Sequence, residues 1–253
     1  MPHEILSLPP PPAHLRVAYG KERSQFVDFR FPASNVAAAI VIMIHGGFWR
    51  QRYDLAHAGH LCAAVTACGL TTANIEYRRV GEPGGGWPGT FDDIQAALHS
   101  AQKHHGNGKP ALVVGHSAGG HLGLWAATRR QDLAAVITLA PVACLRTAWQ
   151  QRLGDGAVAD LLGGPPDVVP DRYLFACPSQ HGTRVPRVLI HGAADDIVPL
   201  NVSQDYLTAR SVESDVVRLM ELPGVDHFDL IDPRSPSGRT VLAEIKNTAD
   251  ASS

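Results

Sequence analysis

The feature of this sequence that most constrains its fold is a series of short apolar runs separated by segments of helical pattern. In several of these runs hydrophobic residues occupy successive rather than alternate positions, which is typical of strands buried on both faces. Such strands require a mainly parallel sheet with helices on each side. The runs are Ala37–Ile44, Leu70–Ile75, Ala111–Gly115, Leu133–Ala140, Val188–His191 and Val216–Leu222.

The segments between the apolar runs carry the spacing of helices. In Phe91–Ala101 apolar residues recur every three or four positions, and Thr90, directly before them, is a predicted N-cap. Leu55–Cys68, Ser117–Arg129 and Ser203–Val212 are also predicted helices. The alternation of strands and helices predicts a doubly wound α/β fold with helices on both faces of the sheet.

Two segments break this alternation. Residues 1–18 contain a run of four prolines and are predicted to form a leader, which can be poorly ordered, ahead of a single domain at 19–247. Residues 145–183 are rich in Gly and Pro, and we expect short helices around Val158–Leu162 and Asp171–Phe175. Because an insertion this long is often a lid, we predict that it covers the substrate; a surface excursion without a role is the alternative.

The charge balance argues against a nucleic-acid partner. The 253 residues include 22 Lys and Arg against 24 Asp and Glu, which gives a formal net charge of −2. The longest apolar run, Val36–Ile44, is far shorter than the ~20 residues that cross a bilayer, so no membrane association is expected. The N-terminus has neither a basic start nor an apolar stretch long enough for export, which favours a cytoplasmic protein.

No metal, cofactor or disulfide is expected from the sequence. The four cysteines form no C-x-x-C pair, and buried free thiols are the simplest interpretation in a chain of this size. The ligand spacing H-E-x-x-H does not occur, which argues against zinc. The cysteines are Cys62, Cys68, Cys144 and Cys177.

Residues Gly115–Gly119 read G-x-S-x-G and lie directly between an apolar run and a helical pattern. A strand-to-helix turn this sharp forces its central residue, Ser117, into a strained backbone conformation and needs glycines on either side. The serine hydroxyl then projects from the carboxyl edge of the sheet, beside the positive end of a helix. Ser117 is therefore the predicted nucleophile.

A serine hydroxyl needs a base within hydrogen-bonding reach and an acid that orients the base. With this type of turn the chain order is serine, acid, histidine. Asp195 follows the run Val188–His191 and is the predicted acid, with the adjacent Asp196 as the alternative. His227 follows the last run and is the predicted base.

The other histidines near these positions receive structural interpretations. His116 and His121 flank the serine and are predicted to pack or to form hydrogen bonds. Only His227 lies behind both serine and acid and directly after the last strand, which sets it apart. Helix-surface positions are expected for His57, His60, His104 and His105.

Donors for the oxyanion of a tetrahedral intermediate are expected in two places. The segment His45–Trp49 contains the adjacent glycines Gly46 and Gly47, whose backbone can approach a substrate closely. The N–H of Ala118, directly after the serine, is the other predicted donor. A purely structural turn is the alternative interpretation of the glycine pair.

Together, the H-G-G-F-W segment, the serine turn and the later acid and histidine resemble the α/β-hydrolase superfamily. Within it, the chain looks most like the branch of serine-type kynurenine formamidases (arylformamidases) and feruloyl-esterase-like proteins, which carries H-G-G-x-W. The resemblance covers roughly Tyr19 to Ile245. It implies the α/β-hydrolase fold, a triad of the serine, acid and histidine named above, and an oxyanion hole from the two glycines and Ala118. Phe48 stands where related lipases carry a third glycine, which fits the formamidase-like branch.

The resemblance implies two-step hydrolysis through an acyl-enzyme. A kynurenine formamidase, which releases formate from N-formylkynurenine, a general short-chain carboxylesterase and a non-catalytic ligand-binding member of the fold all stay open. The predicted partner is a small-molecule ester or formamide, bound by a monomer or homodimer. Candidates for the substrate-binding site, with core packing as an equal alternative for each aromatic residue, are Phe48, Trp49, Trp87, Trp149, Tyr173 and His116.

Overall fold

The computed structural model describes residues 4–34, 39–105, 111–211 and 215–252, and its centre is an eight-stranded sheet. The strands are β1 (Leu15–Ala18), β2 (Phe26–Arg30), β3 (Ile40–Ile44), β4 (Thr71–Ile75), β5 (Ala111–His116), β6 (Leu133–Leu139), β7 (Arg187–Gly192) and β8 (Val217–Leu222). In space they follow the order β1-β2-β4-β3-β5-β6-β7-β8. Strand β2 is antiparallel to β1 and β4, and the later pairings are parallel. The predicted mainly parallel sheet is confirmed.

Helices cover both faces of this sheet. In the described part of the chain they are α1 (Gly59–Ala67), α2 (Gly89–His105), α3 (Ala118–Ala127), α4 (Leu145–Gln150), α5 (Leu153–Leu162), α6 (Pro170–Ala176), α7 (Asn201–Ala209) and α8 (Pro236–Ala251). Residues of α2 and α3 belong to the core on one face, and residues of α1 and α8 to the core on the other. No helix within the described ranges has the length and apolar character needed to span a membrane.

Strand β3 shows why its sequence is apolar at every position. Ile40, Ile42 and Ile44 pack into the core layer shared with α2 and α3, whereas Val41 and Met43 pack into the opposite layer. All five residues are buried, because successive side chains of a strand point to opposite faces. Residues 37 and 38 of the predicted run lie outside the described residues.

The sheet begins inside the segment predicted to be a leader, at Leu15 rather than after residue 18. Neither β1 nor β2 was predicted, because charged residues interrupt both strands. Asp28 is buried within β2 and accepts hydrogen bonds from Arg16 Nε and Nη2 of β1 at 2.6 and 2.8 Å. The ion pair between the two strands therefore compensates the cost of burying these charges, which had hidden the strand pattern in each segment.

The predicted helices occur, with shifted ends. The segment Leu55–Cys68 divides into a 3-10 helix at Leu55–Ala58 followed by α1, and Val212, the predicted end of α7, lies outside the described residues. The N-cap prediction for Thr90 is wrong, because α2 already begins at Gly89. Instead, Thr90 Oγ1 donates to Arg78 O at 2.6 Å and accepts from Gly86 N at 3.1 Å, which fastens the preceding loop. Helix α8 was not predicted.

The insertion at 145–183 consists of α4, α5, α6 and a 3-10 helix at Pro178–Gln180. The two short helices expected there lie within α5 and α6. The four cysteines are free thiols, but only Cys62 and Cys177 are buried, and Cys68 is exposed.

Candidate active site

The turn between β5 and α3 holds Ser117 in a strained conformation. Its φ of 55° and ψ of −118° lie outside the regions that residues with side chains favour. A Cβ atom at Gly115 would lie 2.3 Å from Gly119 O, and one at Gly119 would lie 2.1 Å from Ile44 O. Only glycine fits at either position, as the sequence pattern predicted, and Ser117 N donates to Leu139 O at 2.8 Å.

Asp195 and His227 follow β7 and β8 and meet at the carboxyl edge of the sheet. His227 Nδ1 donates to Asp195 Oδ2 at 2.6 Å, and both side chains are almost fully buried. Asp195 Oδ1 accepts from the N–H groups of Ile197 and Val198 at 2.9 and 2.8 Å. The alternative acid, Asp196, is exposed.

Two opposing effects act on the pKa of the Asp195 carboxyl. Burial raises it, but hydrogen bonds from His191 and His227 and from the Val198 N–H outweigh burial and hold the pKa below its usual range. Asp195 is therefore a carboxylate at neutral pH and fixes the proton of His227 on Nδ1.

A cavity of about 330 Å³ joins Ser117 and His227. Its wall is mainly apolar and aromatic, as is usual for small-molecule sites. Besides these two residues the wall includes Gly47, Phe48, Tyr53, His57, Ile197 and Phe228.

The predicted oxyanion donors lie close to the serine. A Cβ atom at Gly46 would approach Ser117 Cβ to 3.0 Å, so this glycine backbone touches the serine turn. Gly47 has a φ of 110°, which favours glycine, and it lines the cavity. Ala118 is the first residue of α3, where backbone N–H groups have no partner within the helix.

A buried hydrogen-bond network fixes the loop that carries these glycines. The sequence analysis did not predict a role for the residues of this network. His45 Nε2 lies 2.9 Å from Glu76 Oε1, and Tyr77 Oη donates to His45 O at 3.0 Å. Glu76 Oε2 also accepts from Leu55 N at 3.0 Å. Burial raises the pKa of Glu76, but His45 and Arg79 reverse the effect and lower it. The signal in the sequence was an acidic residue directly after β4, a strand without charged residues of its own.

The candidate substrate-binding residues divide between the cavity and the core. Phe48 lines the cavity, whereas Trp49 is fully buried and meets His121 edge-to-face at 5.1 Å. Trp87 packs against Phe91 and Phe175, outside the cavity. The positive φ angles of Phe48 and Trp49, 51° and 56°, turn neighbouring side chains in different directions, which the sequence did not reveal.

His116 and the remaining candidates also lie behind the cavity wall. His116 is fully buried and bonded to His57 and to the backbone of His227, which confirms the prediction that it packs or forms hydrogen bonds and corrects its prediction as a substrate contact. Tyr173 is buried in the core, and Trp149 is partly buried and packs against the same core. His57 was expected on a helix surface but lies in the cavity wall; the side chain of His105 lies outside the described residues.

The cavity is covered from an unexpected side. Leu6 and Leu8, from the predicted leader, line it, and no residue of the insertion does so among those described. The insertion instead supports Phe48 from behind: a Cβ atom at Gly154 would lie 2.6 Å from the Phe48 ring. The prediction that residues 145–183 cover the substrate is therefore corrected to an indirect contact through Phe48.

The order of the sheet and the strained serine after β5 define this protein as an α/β-hydrolase. More narrowly, the chain belongs to the BD-FAE family, which it matches over residues 27–209. The family match confirms the prediction of an enzyme of the α/β-hydrolase class.

Similar proteins are known by sequence and by structure. Kynurenine formamidase of Salmo salar is 24% identical over 246 residues, which cover 86% of this chain and 76% of that protein. A truncated carbohydrate esterase from gut microbiota superposes with a TM-score of 0.79 at 19% identity, covering 94% of this chain and 99% of the other. Esterase B of Lactobacillus rhamnosis gives a TM-score of 0.80 at 21% identity, with 98% and 89% covered.

Proposed function

We propose that this chain is a serine hydrolase that cleaves a small acyl ester or an aryl formamide, most like kynurenine formamidase. The observation that carries the proposal is the 2.6 Å hydrogen bond from His227 Nδ1 to Asp195, at the wall of the cavity that Ser117 also lines. Because a carboxylate only accepts hydrogen bonds, Nδ1 carries the proton and Nε2 of the neutral ring is free to act as a base.

The proposed reaction has two steps. His227 Nε2 takes the proton of Ser117 as Oγ attacks the carbonyl carbon, and the backbone N–H groups of Gly46, Gly47 and Ala118 stabilise the oxyanion. His227 then gives the proton to the leaving oxygen or nitrogen, and the acyl group stays on the serine. Water, activated by the same imidazole, attacks the acyl-enzyme and releases the acid.

Two substrate classes share this chemistry. The H-G-G-F-W segment and the similarity to kynurenine formamidase favour an aryl formamide, because a formyl group needs little acyl space and the aromatic wall suits an aryl leaving group. A short-chain carboxylesterase is the second candidate, favoured by the names of the structurally similar esterases.

Replacement of the proposed nucleophile tests the function directly. Ser117→Ala removes the attacking oxygen, so turnover of p-nitrophenyl acetate and N-formylkynurenine is expected to fall by roughly four orders of magnitude or more. The exposed Ser211, changed to Ala, is the matched control and is expected to retain wild-type rates. A Ser117→Ala protein with near-wild-type turnover would refute the assignment.

Steady-state kinetics with a panel of substrates identify the preferred substrate. Kinetics with N-formylkynurenine, p-nitrophenyl acetate and longer p-nitrophenyl esters are expected to give the highest kcat/KM with the formamide. Highest kcat/KM with an ester favours the carboxylesterase. A fluorophosphonate probe labels Ser117 in either case, whereas an unmodified wild-type protein would indicate a binding protein without catalysis.

A further inference from the structure

A chain of hydrogen bonds leads from the cavity wall to the backbone of the proposed base, and the proposed reaction does not use it. His57 Nε2 lies 2.7 Å from His116 Nδ1. His116 Nε2 lies 3.0 Å from the carbonyl oxygen of His227. His116 is fully buried, whereas His57 is half-buried and lines the cavity.

The carbonyl at the end of this chain fixes the position of each proton. A carbonyl oxygen only accepts, so His116 Nε2 must carry a proton and donate it. In a neutral imidazole the other nitrogen is then an acceptor, and His57 Nε2 must donate to it. The same rule applied to the neutral His57 ring leaves its Nδ1 without a proton.

The surroundings favour the neutral form of both rings. Burial, with the neighbouring His45 and His227, lowers the pKa of His57 to about 3. Burial also lowers the pKa of His116 well below its usual value. Two protonated rings joined at 2.7 Å would repel each other, which agrees with the neutral pair.

His57 Nδ1 is therefore a hydrogen-bond acceptor in the wall of the cavity. It has no hydrogen-bond partner among the described residues. Apart from the proposed catalytic Ser117 and His227, the other polar side chains of the same wall are exposed to solvent: Arg52, Tyr53 and Asp54. A substrate that covers His57 with an apolar group would leave this acceptor without water or partner, which is unfavourable.

We propose that His57 Nδ1 accepts a hydrogen bond from an N–H or O–H group of the substrate and so selects acyl compounds that carry such a donor near the scissile bond. This specificity role rests on the proposed hydrolase function, since the selected compounds are its substrates. An aryl formamide supplies an N–H at the scissile bond itself, whereas a simple alkyl or aryl ester supplies none. Within the hydrolase class the acceptor therefore favours formamides and amine-bearing aryl esters.

A matched substrate pair measures this preference. In 3-aminophenyl acetate and 3-methylphenyl acetate the ring substituents are similar in size and the leaving groups similar in acidity, but only the amine donates a hydrogen bond. The wild-type protein is expected to prefer the amine by about fivefold in kcat/KM, the effect of one neutral hydrogen bond. In His57→Phe that ratio is expected to fall to about one. Losses common to both substrates, including any disturbance of His116, cancel in the ratio.

A distant histidine provides the control for this experiment. The exposed His104 on α2, changed to Phe, is expected to keep the wild-type ratio. An equal kcat/KM for the two esters in the wild-type protein, or an unchanged preference in His57→Phe, would overturn the proposal.

Two NMR measurements do not depend on turnover. Long-range ¹H–¹⁵N spectra, assigned by the signals lost in His57→Phe, are expected to show His57 protonated on Nε2 only. In Ser117→Ala, which cannot form the acyl-enzyme, 3-aminophenyl acetate is expected to shift the His57 Nδ1 resonance and 3-methylphenyl acetate to leave it in place. A proton on Nδ1, or equal shifts with both esters, contradicts the acceptor role. Absence of turnover with these NMR results intact would instead refute only the hydrolase function.

Discussion

At the scale of single residues, Asp195 and Asp196 are adjacent carboxylates in opposite surroundings. Asp195 is buried and bonded to His227, whereas Asp196 is exposed. An amide at position 195 would offer His227 a weaker and partly reversed hydrogen bond and favour the wrong tautomer of the ring. Asp195→Asn is therefore expected to lower kcat by roughly a thousandfold or more.

The neighbouring position supplies the control for that substitution. Asp196→Asn removes the same charge one residue away, and its kcat is expected to stay within about twofold of wild type, because exposed charges interact weakly with the site. Steady-state kinetics with p-nitrophenyl acetate measure both variants. Equal losses in the two variants would contradict Asp195 as the partner of His227.

How much of the candidate site could be predicted differs from residue to residue. Ser117, Asp195 and His227 each follow the end of a strand, and their order in the sequence was enough to predict that they lie at the same edge of the sheet. The hydrogen bond between His57 and His116 was not predictable, because it joins two rings that are 59 residues apart in the chain. Phe48 and Trp49 show the same limit, since backbone angles decide which of the two faces the cavity.

At the scale of elements, the insertion contacts the cavity wall at Phe48. Gly154 has a φ of 58°, and its Cα faces the Phe48 ring so closely that a Cβ atom would lie 2.6 Å from it. Gly154→Ala is expected to displace Phe48 and to change kcat/KM by several-fold or more. It also adds backbone strain of order 1 kcal/mol.

A substitution at Gly156, two residues further on, adds backbone strain without a new contact and so serves as the control. Its φ is 81°, but a Cβ atom there would meet nothing within 4 Å. Gly156→Ala is thus expected to lower the free energy of unfolding by a similar amount and to leave kcat/KM unchanged. Urea unfolding and steady-state kinetics on both variants measure this; parallel kinetic losses would indicate that strain in α5, not Phe48, controls activity.

The failure to predict strands β1 and β2 has one physical cause. Strands β3 and β5 to β7 are almost wholly buried, so their apolar runs were visible. Strand β1 is at the sheet edge, β2 lies between it and β4, and the two carry the paired charges of Arg16 and Asp28, which only tertiary contact neutralises. The position of Leu6 and Leu8 over the cavity was not predicted for a different reason: two leucines in a proline-rich segment show no periodic pattern.

At the scale of the whole molecule, buried neutral histidines couple stability to pH. His121 is fully buried, its Nε2 donates to Ala176 O at 2.9 Å, and its Nδ1 has no partner among the described residues. Burial lowers the pKa of His121 to about 4. The pKa values of His57 and His116 are also lowered. These rings take up protons more readily in the unfolded chain than in the folded one.

The sign of the effect follows from that difference. Between pH 6.5, near the ordinary histidine pKa, and pH 4, the unfolded state binds more protons, so stability falls as pH falls. His121 alone contributes a slope of up to about 1.4 kcal/mol per pH unit in this window. Carboxyl groups with lowered pKa values, such as Asp195, lose their contribution only at more acidic pH.

Urea unfolding at pH 7, 6 and 5 measures this coupling. The wild-type free energy of unfolding is expected to fall steeply between pH 6 and 5, and His121→Gln is expected to reduce that slope by about 1 kcal/mol per pH unit, whatever its stability at pH 7. His104→Gln, at an exposed position hydrated in both states, should leave the slope unchanged. If both variants kept the wild-type slope, His121 would have to be protonated in the folded protein. That result would require water or a carboxylate at its unpaired Nδ1, in the packed layer between α3 and the insertion.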